Sequence, residues 1–177
     1  MSLDRALFLD RDGTIIEDCG YPRDPDQVRL LPRAAEALQA LASEGWKLIV
    51  ISNQSGVGRG IVAPNEMEAV QERFLELMRE HAVPIAASYV CPHAPGDRCQ
   101  CRKPSPFLLE QAAREHALDL AASWMIGDRE ADVLCGRNAG CRTIWLRNDA
   151  FPVPKDLPDF IADDWTSVAQ ALAGECL

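Results

Sequence analysis

The chain has 177 residues, of which 47% are hydrophobic and 25% charged, a composition that is typical of a folded globular protein and excludes a disordered or fibrous chain. This length suits one compact domain, which we expect to span residues 1–177. The formal net charge of −9 argues against nucleic acid as a partner, because nucleic-acid binding depends on Lys and Arg side chains that displace counterions.

The N-terminal segment predicts neither export nor a membrane anchor. Asp4 and Arg5 interrupt the stretch in which a signal peptide needs an unbroken apolar run. The longest apolar runs, such as residues 48–51, are far shorter than the ~20 residues that cross a bilayer. We therefore expect a cytoplasmic protein without a membrane partner.

Short apolar runs alternate along the chain with segments of helical period, a pattern that predicts βαβ units. The predicted fold class is α/β, with a Rossmann-like parallel sheet and helices on both faces. Strands are predicted, in chain order, at residues 6–9, 47–52, 88–90, 124–126 and 143–146, with a further strand from Ile161. Helices are predicted after Pro32, after an N-cap pair formed by Asn65 and Glu68, after Ser105-Pro106, and over residues 130–139.

An acidic motif follows the first predicted strand. Residues 10–14 read Asp-Arg-Asp-Gly-Thr, which places two carboxylates at the carboxyl end of a strand, where open α/β sheets bind ligands. Side chains two residues apart in extended backbone point the same way, so Asp10 and Asp12 are expected to face one site. An ionised carboxylate attacks phosphorus once a hard cation screens the charge repulsion.

A second acidic motif follows the fourth predicted strand, where Gly127-Asp128 precedes Asp132 by one helical turn. Magnesium prefers oxygen ligands and needs only one or two carboxylates beside a substrate phosphate. Either motif alone is explained equally well by a turn or a helix cap. Both motifs at strand ends favour a magnesium site.

These motifs resemble those of the haloacid-dehalogenase-superfamily phosphatases, and the resemblance covers residues 5–146. It implies that Asp10 is the nucleophile and a magnesium ligand. Asp12 would protonate the leaving oxygen, activate water and bind magnesium through its backbone carbonyl, and Asp128 would complete the magnesium site. Ser52 and Lys103 would bind the phosphoryl oxygens in the transition state.

Four residues with metal-ligating side chains lie within a short segment. Cys91, His93, Cys99 and Cys101 offer three thiolates and one imidazole, a set that suits a closed tetrahedral zinc site. Four protein ligands leave no open position, so the predicted zinc is structural and folds the loop. The alternatives are an incidental cluster and a disulfide.

The cysteine-histidine loop narrows the resemblance to a zinc-containing branch of the superfamily with a minimal cap. This branch includes heptose-bisphosphate phosphatases and histidinol phosphatases. Residues 18–21 and 52–60 resemble the heptose enzymes, whereas the five-residue gap between His93 and Cys99 resembles histidinol phosphatases. The resemblance implies these substrate contacts: Asp18, Cys19, Gly20, Tyr21, Ser52, Asn53, Gln54, Ser55, Arg102, Lys103 and Arg129.

The predicted function is hydrolysis of the 7-phosphate of D-glycero-D-manno-heptose 1,7-bisphosphate, with magnesium and zinc bound. Arg102 and Lys103 directly follow the last proposed zinc ligand, and two cations suit a small phosphorylated metabolite. The alternatives are a phosphatase for histidinol phosphate or another sugar phosphate, and a zinc-stabilised binding protein without catalysis. The minimal cap favours a monomer.

Overall fold

Six strands form one parallel sheet in the computed structural model, which describes residues 3–156 and 158–173. Its strand order is β3-β2-β1-β4-β5-β6, and each neighbouring pair is parallel. The strands are β1 (Ala6–Leu9), β2 (Lys47–Asn53), β3 (Ile85–Cys91), β4 (Trp124–Gly127), β5 (Arg142–Leu146) and β6 (Phe160–Ala162). The predicted α/β class and the predicted strands are confirmed, and β3 begins at Ile85 rather than at residue 88.

In the part of the chain that the structure describes, six helices and one 3-10 turn connect and cover these strands. The helices are α1 (Ala34–Ser43), α2 (Ser55–Gly58), α3 (Pro64–Glu80), α4 (Phe107–His116), α5 (Glu130–Ala139) and α6 (Trp165–Leu172). Helix α5 has its predicted bounds, whereas α2, α6 and the 3-10 turn at Pro25–Gln27 were not predicted. Among the described helices, none is long and apolar enough to cross a membrane.

Helix α3 begins two residues earlier than its predicted capping pair implies, because its N-cap is Ala63 rather than Asn65. The prediction that Asn65 and Glu68 cap this helix is wrong. Pro64 occupies the first turn, where its missing N–H costs nothing. The N–H of Ala63 donates instead to the Glu66 carboxylate at 2.7 Å, so the acidic partner is Glu66.

Apolar side chains fill the space between the sheet and a helical layer on each face. Leu7 and Leu9 belong to a buried cluster with residues of α1, α3 and α6. Phe8 belongs to a separate buried cluster with residues of α4 and α5. Successive side chains of a strand point to opposite faces, which is why β1 contributes alternately to both clusters.

Polar residues gather where the strands end. Because all six strands are parallel, their carboxyl ends lie along one edge of the sheet. Asp10 directly follows β1, Asp128 directly follows β4, and Cys91 is the last residue of β3. The described strands form no second sheet, which agrees with the expected minimal cap. The candidate site therefore lies on this edge.

Candidate active site

Three buried carboxylates lie together at the carboxyl edge of the sheet. They belong to Asp10 after β1, Asp128 after β4, and Asp132 in the first turn of α5. One oxygen of each lies within 4.8 Å of the other two. The Asp10 N–H donates to the Ile126 carbonyl at 2.9 Å, which ties the end of β1 to that of β4. The structure thus brings the two acidic motifs together.

Two glycines allow the carboxylates to approach the backbone this closely. Gly13 has φ +82, and a Cβ there would lie 2.3 Å from Asp128 Oδ2. A Cβ at Gly127 would likewise lie 2.3 Å from Asp132 Cγ. Both distances are far shorter than van der Waals contact. At Gly13 the positive φ is also unfavourable for any residue with a Cβ. Glycine is therefore required at both positions.

Lys103 bridges two of the carboxylates. Its Nζ lies 2.6 Å from Asp10 Oδ1 and 2.7 Å from Asp132 Oδ1, and it donates to the Ile51 carbonyl at 2.8 Å. Burial alone would lower the pKa of Lys103, but the Asp10 and Asp132 carboxylates raise it above its ordinary value. The ammonium therefore stays charged and supplies a positive group at the position that the family resemblance implied.

Apart from the Lys103 ammonium, the ionisable groups of this cluster are carboxylates. Burial raises the pKa of Asp10 to about 8, although the Lys103 ammonium opposes the increase, and burial with the nearby Asp132 raises the pKa of Asp128 to about 6. Asp128 Oδ1 is buried and has no hydrogen-bond partner among the described residues. Crowded carboxylate oxygens, one of them unpartnered, are the donor set of a hard divalent cation. The residues therefore fit magnesium.

Asp132 is engaged on both of its oxygens. Oδ1 pairs with Lys103, and Oδ2 accepts the Arg129 N–H at 3.0 Å. Asp132 therefore holds Lys103 in place. The sequence places Asp132 in the second acidic motif but predicts no role for it, because the distance along the chain between Asp132 and Lys103 gives no sign of their contact.

Asp12 lies beside the carboxylate cluster and has different partners. Its Oδ2 accepts from Gln54 Nε2 at 2.6 Å and from the Ser52 hydroxyl at 3.5 Å. Gln54 Nε2 also donates to Ser52 Oγ at 2.7 Å. The Asp12 carboxylate is thus joined to the end of β2, and Asp132 is the third member of the carboxylate cluster. The Asp12 carboxylate is not part of that cluster, so the magnesium contact predicted for Asp12 is still its backbone carbonyl.

A cavity of about 350 Å³ opens over these groups. Most of the predicted substrate contacts line it, whereas Cys19 and Ser52 do not: the Cys19 side chain is exposed, and Ser52 is buried beneath Gln54. The lining residues are Asp10, Asp12, Asp18, Gly20, Tyr21, Asn53, Gln54, Ser55, Arg102, Lys103, Arg129, Ala131 and Asp132. The cavity size suits a small ligand.

Arg129 and Asp18 form one wall of the cavity. Arg129 Nη2 lies 2.6 Å from Asp18 Oδ2, and the Arg129 guanidinium lies 4.3 Å from the centre of the Phe151 ring. Asp18 Oδ1 accepts the Gly20 N–H at 2.8 Å. The ion pair therefore links the loop after β1 to the start of α5, and its guanidinium is half-exposed toward the cavity.

The cysteine-histidine cluster forms at the end of β3. Cys91 Sγ lies 3.6 Å from His93 Nδ1, 3.8 Å from Cys99 Sγ and 2.9 Å from Cys101 Sγ, and His93 Nδ1 lies 3.3 Å from Cys101 Sγ. Ligands at 2.0–2.3 Å from a tetrahedral zinc are separated by roughly 3.5–3.8 Å. The distances from Cys91 to His93 and Cys99 match these separations, whereas Cys101 lies closer to both Cys91 and His93. Three sulfurs and one nitrogen within 4.8 Å of one another are a donor set that fits zinc. The next residue, Arg102, donates from Nη1 to the His93 carbonyl at 3.3 Å.

Comparison with known proteins relates this architecture to a group of hydrolases. A family model of HAD-hydrolase-like proteins matches residues 100–168. The D-glycero-beta-D-manno-heptose-1,7-bisphosphate 7-phosphatase of Helicobacter pylori is 42% identical over 140 residues, which are 78% of this chain and 81% of that protein. The corresponding Pseudomonas aeruginosa enzyme is 34% identical over 171 residues, which cover 94% and 96% of the two chains.

A solved structure gives the same relationship. The D,D-heptose 1,7-bisphosphate phosphatase of B. bronchiseptica, complexed with magnesium and phosphate, superposes with a TM-score of 0.85 at 28% identity and covers 97% of this chain and 99% of that one. The sheet order and the acidic edge define a phosphatase of the haloacid-dehalogenase type. Within that type, the chain belongs to the D-glycero-D-manno-heptose-1,7-bisphosphate 7-phosphatase family.

Proposed function

We propose that this phosphatase removes the 7-phosphate of D-glycero-D-manno-heptose 1,7-bisphosphate through an aspartyl-phosphate formed on Asp10. The contact that carries the proposal is the ion pair between Lys103 Nζ and Asp10 Oδ1, 2.6 Å long, at the base of the cavity. It supports a carboxylate nucleophile beside a fixed positive charge. Relatives that carry this name in Helicobacter pylori and Pseudomonas aeruginosa support the choice of substrate.

Cationic side chains would hold the substrate phosphates. Arg102, Lys103 and Arg129 line the cavity, and Arg side chains bind phosphate oxygens through paired hydrogen bonds. Lys103 is fixed by Asp132, whereas the Arg129 guanidinium is half-exposed. Lys103 would therefore contact the transferring phosphoryl group, leaving the two arginines for the rest of the substrate.

In the first step, a carboxylate oxygen of Asp10 would attack phosphorus as the bond from phosphorus to the C7 oxygen of the sugar breaks. Protonated Asp12 would give its proton to the departing oxygen, which leaves as the heptose hydroxyl. The Lys103 ammonium would stabilise negative charge on the phosphoryl oxygens. The products of this step are the sugar 1-phosphate and phosphorylated Asp10.

In the second step, Asp12, now ionised, would accept a proton from water. The water oxygen would attack phosphorus, the bond from phosphorus to Asp10 would break, and inorganic phosphate would leave. This step restores the Asp10 carboxylate and the protonated Asp12. Asp12 has a hydrogen-bonding position on the cavity side, where Gln54 Nε2 now contacts it at 2.6 Å.

Asp10, Asp128 and the backbone carbonyl of Asp12 would hold magnesium. A bound magnesium supplies positive charge that screens the repulsion between the Asp10 carboxylate and the phosphate. Asp128 is suited to this position because its Oδ1 has no hydrogen-bond partner among the described residues. Asp132 is not proposed as a ligand because Lys103 and the Arg129 N–H occupy both of its oxygens.

Cys91, His93, Cys99 and Cys101 would hold a structural zinc. A bound zinc supplies folding free energy to the loop, in which residues 94–98 are intermediate or exposed. Since Arg102 donates to the His93 carbonyl, the same loop would orient the Arg102 guanidinium toward the cavity.

The test of this proposal is to identify the product formed from heptose 1,7-bisphosphate. Phosphorus NMR should show inorganic phosphate and a sugar that retains its 1-phosphate. The competing substrate is histidinol phosphate, which the spacing of His93 and Cys99 favours. Release of the 1-phosphate, or no turnover with magnesium present, would contradict the proposal.

A further inference from the structure

A fully buried cation lies directly behind Asp12. The Arg11 side chain is 0% exposed, and its guanidinium forms a fork with the neighbouring carboxylate: Nε donates to Asp12 Oδ2 at 3.0 Å and Nη2 to Asp12 Oδ1 at 3.1 Å. Burying a charge is costly unless it is paired and hydrogen-bonded. This two-point contact also fixes the plane of the carboxylate, which a single hydrogen bond does not.

The remaining end of the guanidinium is anchored to the body of the protein. Arg11 Nη1 donates to Gln71 Oε1 at 2.8 Å, and Gln71 Nε2 donates to Ser88 Oγ at 3.0 Å. Gln71 belongs to α3 and Ser88 to β3. Helix α3 is itself held by buried Val70 and Phe74. A chain of hydrogen bonds therefore runs from Asp12 into two packed elements.

The two sides of the Asp12 carboxylate differ in accessibility. Arg11 contacts it from the buried side. Gln54 donates to it at 2.6 Å from the cavity side, where both residues line the wall. A substrate oxygen can displace the Gln54 amide, whereas nothing from the cavity can reach Arg11. The Arg11 contact is therefore shielded from the cavity, whereas the Gln54 contact is accessible to a substrate.

We propose that Arg11 is a positioning residue that aims the Asp12 carboxylate at the leaving-group oxygen, and that Gln71 keeps Arg11 in that orientation. The inference rests on the proposed role of Asp12 in proton transfer. Its consequence concerns the leaving group: an alkyl alkoxide must be protonated as it leaves, whereas p-nitrophenolate is stable as an anion. If the Asp12 carboxylate loses this orientation, hydrolysis of alkyl phosphates should therefore slow more than hydrolysis of p-nitrophenyl phosphate.

The experiment compares kcat/KM for heptose 1,7-bisphosphate with that for p-nitrophenyl phosphate in each variant. Arg11→Lys keeps the charge but cannot form the fork, and it should lower the ratio of the two values by about 10-fold to 100-fold. Gln71→Leu removes the acceptor for Nη1 and should lower the ratio by roughly 5-fold to 20-fold. Gln71→Glu keeps the acceptor for Arg11 and should retain the parental ratio; the Ser88 hydroxyl, which now accepts from Gln71 Nε2, would donate to the carboxylate instead.

Arg73→Lys is the matched control, because Arg73 lies on the same helix and pairs with Glu76 and Glu80 at the surface. It should leave the ratio unchanged. If Arg11→Lys does not fold, the substrate ratio of Gln71→Leu compared with that of Gln71→Glu tests the inference. A ratio unchanged in Gln71→Leu, or equal losses for both substrates in folded Arg11→Lys, would overturn the inference. Failure of the proposed function is distinct, since Asp10→Asn would then retain turnover.

Discussion

Asn53 and Lys103 are joined by two hydrogen bonds between a side chain and a backbone. The Lys103 N–H donates to Asn53 Oδ1 at 3.1 Å, and Asn53 Nδ2 donates to the Lys103 carbonyl at 3.2 Å. The side-chain amide of Asn53, the last residue of β2, therefore fixes the backbone of Lys103. Asn53 lines the cavity as predicted, but these contacts add a role that the substrate prediction did not include.

Substituting Asn53 by Ala should lower kcat by at least about 10-fold with little change in KM, because the Lys103 ammonium loses its alignment rather than its charge. Two lost hydrogen bonds should also lower the free energy of unfolding by about 1–3 kcal/mol. Asn53→Asp keeps the acceptor and should fall between parent and Ala. Steady-state kinetics and denaturant unfolding measure both effects. A raised KM at unchanged kcat would instead identify Asn53 as a substrate contact alone.

The acidic edge was predictable because local sequence signals determine it. Apolar runs before Asp10 and Asp128 predict buried strands, and parallel strands bring their carboxyl ends to one edge. The spacing of the four cysteine and histidine residues similarly predicts that they can meet. In each case the chemistry is carried by residues adjacent to a recognisable element.

Contacts between distant segments could not be predicted in this way. Nothing in the sequence links Asp132 to Lys103, Arg11 to Gln71, or Trp165 of α6 to the Thr14 carbonyl, which its Nε1 reaches at 2.7 Å. These partners depend on helix packing against the sheet, which periodicity does not specify. The position of Arg11 between Asp10 and Asp12 gave no signal of burial, since Arg is rarely buried without a partner.

Asp10→Asn should reduce turnover by about 10⁴-fold or more, because the amide has nearly the same shape but cannot attack phosphorus. Phosphate release measured with magnesium present tests this. The fold should persist, since the amide can still accept from Lys103 Nζ. Asp163→Asn is a control at the surface, where the carboxylate pairs with Arg147. Full activity in a folded Asp10→Asn protein would exclude the aspartyl-phosphate.

Metal analysis should find about one zinc per chain in addition to exchangeable magnesium. Cys99→Ser should lose most of that zinc and unfold at lower temperature, because the hydroxyl is a poor zinc ligand and the loop depends on the metal. Cys19→Ser should keep its zinc, since Cys19 is exposed and belongs to a different loop. Parental zinc content and melting temperature in Cys99→Ser would make the assignment wrong.

Stabilisation by magnesium should increase as the pH rises from about 6 to 8. Burial, opposed by Lys103, raises the pKa of Asp10 to about 8 from its ordinary value of 3.8. Without a cation, the folded state then binds a proton that the unfolded state releases, so stability from this group is complete below pH ~4 and lost as the pH approaches 8. Cation binding requires the ionised carboxylate and competes with that proton.

The measurement is the shift in melting temperature caused by magnesium, recorded at each pH. The shift should grow through this window and level off above pH ~8, where Asp10 is ionised even in the absence of magnesium. Asp10→Asn should give a smaller shift with little growth between pH 6.5 and 8, because the titrating ligand is gone. A magnesium shift that is constant with pH in the parent would contradict the prediction.

The parent should hydrolyse heptose 1,7-bisphosphate with a higher kcat/KM than histidinol phosphate. The difference should reach up to about 10⁴-fold if histidinol phosphate leaves buried polar groups of the cavity unpaired.

Arg102 would supply much of this preference, because its guanidinium borders the cavity and can bind a second phosphate, which the cationic amino alcohol lacks. Arg102→Ala should therefore lower kcat/KM for the bisphosphate by about 10-fold to 100-fold, the usual effect of losing a hydrogen bond to a charged group, and change histidinol phosphate little. Arg102→Lys, which keeps a charge without the paired geometry, should fall between them. A parental preference for histidinol phosphate, with no effect of Arg102→Ala on selection, would overturn the heptose assignment and leave the phosphatase chemistry of Asp10 intact.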